Sequence, residues 1–273
     1  MTTRKSWPIA LSVNINILLD DEKLKALTET GIDQVELSIG WASDLQQYLD
    51  FRFHANEVLE RATRFGVKIT SLHLPFGPFQ EIDPTRPAKK AEFITLQKQL
   101  LDAAKSIGIK IAVIHPSAEP YKDEERAECM ECAIDTMSKL CTYANSLGIE
   151  LALENLPRTC LCREKEEMLY FLDRIPALKA CYDMNHCLRG DNLEFLRAVA
   201  PKLITIHVSD YDGIDERHWL PGKGINDWEA IISILEENDY SGRFLFELGG
   251  DNSTYSDIRA CYDKLILNST TEI

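Results

Sequence analysis

Residues 179–210 read KACYDMNHCLRGDNLEFLRAVAPKLITIHVSD. A short apolar run, KACYDMNH (179–186), leads into a helix-patterned stretch, NLEFLRAVA (192–200), and then into a second short run, LITIHVSD (203–210). Both runs are near-continuous rather than alternating, as expected of parallel strands covered by helices. Each finishes in polar groups: Asp183 and His186 in the first, His207 and Asp210 in the second. Either these are solvated turns or the strand ends carry a site.

The same unit recurs on both sides. Strand candidates are ALSVNI (10–15), QVELSI (34–39), KITSLHLP (68–75), IAVIHPS (111–117), ELALENLP (150–157) and FLFELGG (244–250), besides the two above. Helical stretches lie between them, among them DEKLKALTETG (21–31), ANEVLERATRFG (55–66) and DWEAIISILEEN (227–238), several closed by a glycine that suits a helix C-terminus. Eight such units in one chain predict an α/β (β/α)8 TIM barrel, a single domain spanning 1–273. An open doubly wound sheet is the alternative. No GxGxxG follows the first strand, which disfavours a dinucleotide site.

Composition agrees. The chain has 273 residues, 45% of them hydrophobic, enough for a large core. Its net charge of −14 argues against a general nucleic-acid surface. The apolar part of MTTRKSWPIALSVNINILLD is broken by Ser12, Asn14 and Asn16, so it reads as a first strand rather than an export signal. No stretch approaches the roughly 18 apolar residues of a membrane helix, and a cytoplasmic protein is expected. The eight cysteines read as structural thiols; a zinc knuckle from Cys129, Cys132, Cys160 and Cys162 is the weaker option.

In a barrel the active site lies at the C-terminal strand ends. Those ends carry Glu36, His73, His115, Glu154, Asp183 with His186, His207 with Asp210, and Glu247. His218 follows in the loop after the seventh strand, while His54 reads as a surface or capping residue at a helix start. Acids and imidazoles gathered at one mouth lose hydration, and a bound cation relieves this. Glu154, Asp183, His207 and Glu247 come from four consecutive strands, spaced about 4.8 Å apart, and can converge on one ion. Three carboxylates and an imidazole suit Mn²⁺, Mg²⁺, Co²⁺ or Zn²⁺.

ALENLP (152–157), YDMNH (182–186), IHVSD (206–210), HWLPGKGINDW (218–228) and FELGG (246–250) together resemble the xylose isomerase-like TIM barrels. That superfamily includes sugar and sugar-phosphate isomerases and epimerases, inosose dehydratases and endonuclease IV. The resemblance runs from the first strand to the eighth helix and says little about substrate. It implies that Glu154, Asp183, His207 and Glu247 are the metal ligands, that Glu154 and Glu247 are also the catalytic acid/base pair, and that His186 contacts substrate. The implied chemistry is isomerisation or epimerisation of a sugar or sugar phosphate. One carboxylate removes a proton beside a carbonyl, the metal stabilises the enediolate, and the second carboxylate can return the proton on the other face.

Two alternatives use the same site. A dehydratase would expel a β-hydroxyl. An endonuclease IV-like phosphodiesterase or phosphatase would hold several zinc ions, with His73, His115, Glu154, Asp183, His186, His207, Glu216, His218 and Glu247 matching the nine ligands of that family, Glu216 standing where an Asp is usual. IHPSAEP and ENLPR depart from that family's motifs. His73, His115, His218, Arg158 and Arg217 are further candidates to meet substrate, a surface ion pair being the other reading of each arginine. LPGKG (220–224) offers backbone N–H groups to a ligand or simply makes a turn. Phe76 and Phe79 either wall a sugar pocket or pack beneath a loop, and Trp219 and Trp228 are equally open. Asp210 either orients His207 or sits in a solvated turn. The expected partner is a small sugar, with no membrane, nucleic acid disfavoured, and a homo-oligomer left open.

Overall fold

The computed structural model describes residues 5–39, 45–76, 83–119 and 121–267. Eight parallel strands form one sheet: β1 (Ile9–Asn14), β2 (Gln34–Ser38), β3 (Lys68–His73), β4 (Ile111–Ile114), β5 (Glu150–Glu154), β6 (Lys179–Asp183), β7 (Leu203–His207) and β8 (Phe244–Phe246). They pair in chain order, and β1 also pairs with β8. Just beyond β7, Val208 donates to Leu245 O (2.8 Å) and accepts from Glu247 N (3.2 Å), which closes the ring. The predicted TIM barrel is therefore the fold.

Helices α1 (Ile15–Leu18), α2 (Asp21–Glu29), α3 (Leu45–Arg64), α4 (Lys90–Ser106), α5 (Arg126–Ser146), α6 (Lys165–Arg174), α7 (Asn192–Val199), α8 (Trp228–Glu237) and α9 (Tyr255–Leu265) cover the outside. The main core lies between strands and helices, with Leu37, Leu151, Tyr182, Phe171 and Leu235 fully buried. Inside the ring is a second, small cluster of Val113, Ala152 and Cys181. Above it the inward side chains turn polar, beginning with Ser12, Glu36 and Ser71, which are register neighbours on β1, β2 and β3. No described helix is long and apolar enough to cross a membrane.

The strands stop up to four residues short of the apolar runs, because their last polar residues leave the ladder for the loops. Ile15 belongs to α1 rather than β1: the Asn14 side chain accepts Ile17 N (3.3 Å) and starts a one-turn helix. α3 begins ten residues before its predicted start and bends at His54, which leaves helical geometry (φ −118°, ψ 16°). The exposed His54 ring contacts Glu57 there (3.3 Å), the helix-start role expected of it placed at a kink. All eight cysteines are free and none of them is exposed. Burial pushes the Cys160 thiol up to about 12 and holds the Cys162 thiol well above its ordinary value, as befits inert packing groups. Among the described residues, no group of potential metal donors includes Cys129, Cys132, Cys160 or Cys162.

Candidate metal centre and cavity

Two register shifts aim the site. One lies between Val35 and Glu36 against β3, the other between Ala180 and Cys181 against β7. After the second, Asp183 stands directly beside His207. Irregularities of this kind are concentrated next to active sites, where they re-aim side chains.

The four predicted ligands converge. Donor atoms of Glu154, Asp183, His207 and Glu247 all lie within 4.8 Å of one another. His207 Nδ1 is 2.9 Å from Glu247 Oε2, 3.2 Å from Glu154 Oε1 and 3.8 Å from Asp183 Oδ2. Asp183 Oδ1 accepts the Asn185 N–H (2.6 Å), while Oδ2 is buried without a hydrogen-bond partner. A buried carboxylate oxygen left unsatisfied is costly unless something absent from the chain satisfies it. Three carboxylates and an imidazole around such an atom fit a hard or borderline divalent cation.

The ring of His207 is set by Glu36, which accepts its Nε2–H (3.1 Å) and leaves Nδ1 facing the carboxylates. Glu36 is itself fully buried and accepts from Ser71 Oγ (2.8 Å). No role was expected for Glu36 beyond lying near a strand end. The signal available was the period of two that puts it in one inward layer with Ser12 and Ser71. Asp210, expected to orient His207 or to sit in solvent, does neither. It is fully buried and accepts from Tyr211 N, Gly222 N, Asn226 N and Trp228 Nε1 (2.8–3.1 Å). Glu36→Gln is expected to weaken metal binding about 10–100-fold, the usual effect of losing a partner behind a ligand. Unchanged affinity in a metal titration would remove Glu36 from this role.

Electrostatics follow from crowding acids and imidazoles. Burial pushes the Asp183 carboxyl up to about 6, against the pull of His186 and His218. Burial also raises Glu154 and Glu247, but the imidazoles around them together outweigh it, His207, His115 and His186 at Glu154 and His207 with His218 at Glu247, and hold each well below the ordinary carboxylate range. His207 is raised far above the usual imidazole value: burial works against its charge, and the Cys181 thiol and the carboxylates of Glu247, Glu154 and Glu36 overcome it.

Above these groups opens a cleft of about 890 Å³, counted out to its mouth. Its floor holds Glu154 and Glu247; its walls include His73, His115, His186, His218 and Phe76. Glu154 is almost fully enclosed: His73 Nε2 (3.0 Å) and His115 Nε2 (3.2 Å) meet Oε2, and His186 Nδ1 (3.4 Å) meets Oε1. Glu247 is the more accessible, with 20% of its side chain exposed. Phe76 stacks on His115 (4.2 Å between centroids) and so walls the pocket, while Phe79 lies outside the described residues. His186 donates Nδ1–H to Asn155 O (2.9 Å), with Nε2 near Glu216 Oε2 (3.2 Å). Asn155 also binds both backbone groups of Asp183 (2.7 and 2.9 Å), fastening the ends of β5 and β6 together.

Both arginines are held in ion pairs, the second of the two readings of each. Arg217 is absent from the cleft lining; Asp212 holds its guanidinium (2.7 Å), which lies over Trp219. Arg158 lines the cleft but is tied to Glu119, Asp215 and Glu216. The N–H groups of Leu220 and Gly222, within LPGKG, are taken by Asp251 and Asp210, so that stretch is a turn. In FELGG, a Cβ on Gly250 would lie 1.5 Å from Arg217 O, so only glycine lets the loop after β8 pass beneath that after β7. Trp228 is buried against Asp210.

A family model described as xylose isomerase-like TIM barrel matches residues 24–265. An uncharacterised protein of Methanocaldococcus jannaschii is 24% identical over 196 residues, 68% of this chain and 66% of that protein. The fructoselysine 3-epimerase of Escherichia coli O157:H7 is 23% identical over 166 residues, 58% of this chain and 60% of the enzyme. The chain thus spans about two thirds or less of the length of these curated relatives. A solved D-tagatose 3-epimerase-like protein superposes with a TM-score of 0.77 at 20% identity, covering 94% of this chain and 98% of that one, a likeness of fold.

Proposed function

Because this chain belongs to the xylose isomerase-like TIM barrel family, we propose that it is a divalent-metal-dependent isomerase or epimerase of a sugar, working by proton transfer at the carbon beside a carbonyl. The observation that carries this is the unsatisfied Asp183 Oδ2 within the ring of donors from Glu154, His207 and Glu247, directly under an open cleft. A divalent ion held by these four would supply Lewis-acid stabilisation of negative charge building on the substrate's oxygens.

The chain supplies the rest. Glu247, ionised and partly exposed at the cleft floor, is placed to take a proton from a substrate carbon. Glu154, ionised under its cover of imidazoles, is placed to serve the opposite face, with His73 and His115 behind it as hydrogen-bond donors. His186 and His218 stand over the mouth to meet hydroxyls. Phe76 with His115 offers a flat apolar wall for a sugar's C–H face, and the cleft volume suits a small ligand.

The experiment is metal content per chain followed by incubation with ketoses in D₂O. About one Mn, Mg, Co or Zn per chain and deuterium entering beside the carbonyl are expected. Absence of both a bound metal and any exchange would overturn the reading, and loss of water from the product would turn it into a dehydratase. Adding metal to chelated protein at about 100 times its dissociation constant should stabilise the fold by about 2.7 kcal/mol. That corresponds to a rise in melting temperature of roughly 5–10 °C for a chain of this size.

A second reading has its own observation. Besides the four-donor set, His73, His115 and Glu154 form one potential metal group and His186, Glu216 and His218 another. Two or three zinc ions per chain would favour phosphoester hydrolysis of the endonuclease IV kind, tested on abasic DNA and phosphate esters.

A further inference from the structure

We propose that the substrate is a free, uncharged sugar and that its phosphate esters are excluded. This rests on the isomerase or epimerase reading and deepens it. A phosphoryl group is normally held by unpaired Arg or Lys, or by free backbone N–H groups at a helix start or loop. In barrels that place is most often formed by the loops after the seventh and eighth strands.

Both devices are already occupied by the chain's own carboxylates. Arg158 is the one Arg or Lys among the described residues lining the cleft. Its Nε donates to Asp215 (2.8 Å), and its Nη1 contacts Glu216 (2.7 Å) and Glu119 (3.2 Å). Three acids, one from the loop after β4 and two from that after β7, therefore surround one cation on the loop after β5. Arg158 holds a left-handed backbone (φ 50°) that non-glycine residues rarely adopt.

The loops after β7 and β8 repeat the pattern. Asp210 takes the N–H groups of Tyr211, Gly222 and Asn226, and Asp251 takes that of Leu220 together with the Lys223 ammonium (3.0 Å). Gly224 packs so tightly that a Cβ would meet Tyr211 O at 2.1 Å and Asp210 Oδ1 at 2.4 Å.

Besides Arg158, four carboxylates line the cleft, Glu119, Glu154, Glu216 and Glu247, and the imidazoles of His73, His115 and His186 lean on Glu154 while His186 also meets Glu216. Carboxylates accept hydrogen bonds from sugar hydroxyls and repel a phosphate dianion. A neutral polyol satisfies this surface, whereas a phosphate would need Arg158 pulled off all three partners.

The test uses the metal-loaded protein and a panel of ketopentoses and ketohexoses, each paired with its terminal phosphate ester, followed by deuterium exchange and product analysis. At least a 100-fold higher kcat/KM for the free sugar of the best pair is expected. Equal or faster turnover of the ester overturns the proposal. If no member of any pair exchanges, the isomerase reading falls, and the substrate class is decided by binding. Ligand-detected NMR is then run on the same pairs: tighter binding of the free sugars sustains it, equal or tighter binding of the esters overturns it. Glu119→Gln, which loosens one arm of the clamp, should narrow the discrimination about tenfold; a variant that discriminates as sharply as the parent removes Arg158 from the explanation.

Discussion

Asp183→Asn is expected to cut metal affinity by at least 100-fold and activity with it, and at the same time to make the metal-free protein no less stable. The two halves have one cause. In the native chain Oδ1 accepts the Asn185 N–H and Oδ2 has no partner. An asparagine keeps an oxygen for Asn185 but puts an amide N–H₂, with no lone pair and no charge, where a cation would be held. Without metal, the native carboxylate is a burden. Its folded pKa of about 6 stands above the reference value of 3.8, so the folded state binds the proton more tightly than the unfolded one. The contribution of this group to the stability of the metal-free protein therefore falls by about 1–3 kcal/mol as pH rises from about 4 to 6, opposite in sign to the contributions of the depressed Glu154 and Glu247 carboxyls. The asparagine variant should lack that slope. Melting curves in chelator across pH 4–8, with metal titrations at pH 7.5, check both halves. Full metal content and turnover in the variant would show that Asp183 is not a ligand.

Glu247→Gln should lower kcat by about three orders of magnitude or more with the fold intact, because the more accessible carboxylate of the floor is the one that can reach a substrate carbon. Glu154→Gln should be as inactive but for a broader reason. His73, His115, His186 and His207 all lean on Glu154, so removing its charge leaves four imidazoles around a neutral amide. That variant should also bind metal less tightly and melt several degrees lower. Deuterium exchange without product would separate the roles: a variant that still exchanges but no longer epimerises has lost only the second face. Normal exchange in both variants would exclude the two-carboxylate scheme.

The barrel was legible because each strand–helix unit carries its own pattern, and short-range patterns survive in one sequence. The convergence of Glu154, Asp183, His207 and Glu247 was legible because acids and an imidazole at the ends of four successive apolar runs of a barrel face one mouth. Glu36 was not assigned, since its contact with His207 spans 171 residues and depends on a register shift that no local pattern encodes. Asp210 misled because it lies only three positions after His207 in sequence. The chain turns between them, and its partners lie between Tyr211 and Trp228. Arg158 and Arg217 looked available because a sequence displays cations without the loops that fold acids onto them. The first half of α3 was lost because the reading stopped at His54, where the helix bends but does not end.

Closure of the ring by β8 against both β1 and Val208 bears on how the molecule is made. Glu247 follows directly on that last strand, and its partner His207 leans on Glu36 from the second. A ribosome-bound chain that has emerged only through β7 has three of the four donors but no closed ring to fix them. A divalent ion held by these four would thus find its full donor set only after β8 docks, so the proposed metal would bind a barrel already formed rather than nucleate one.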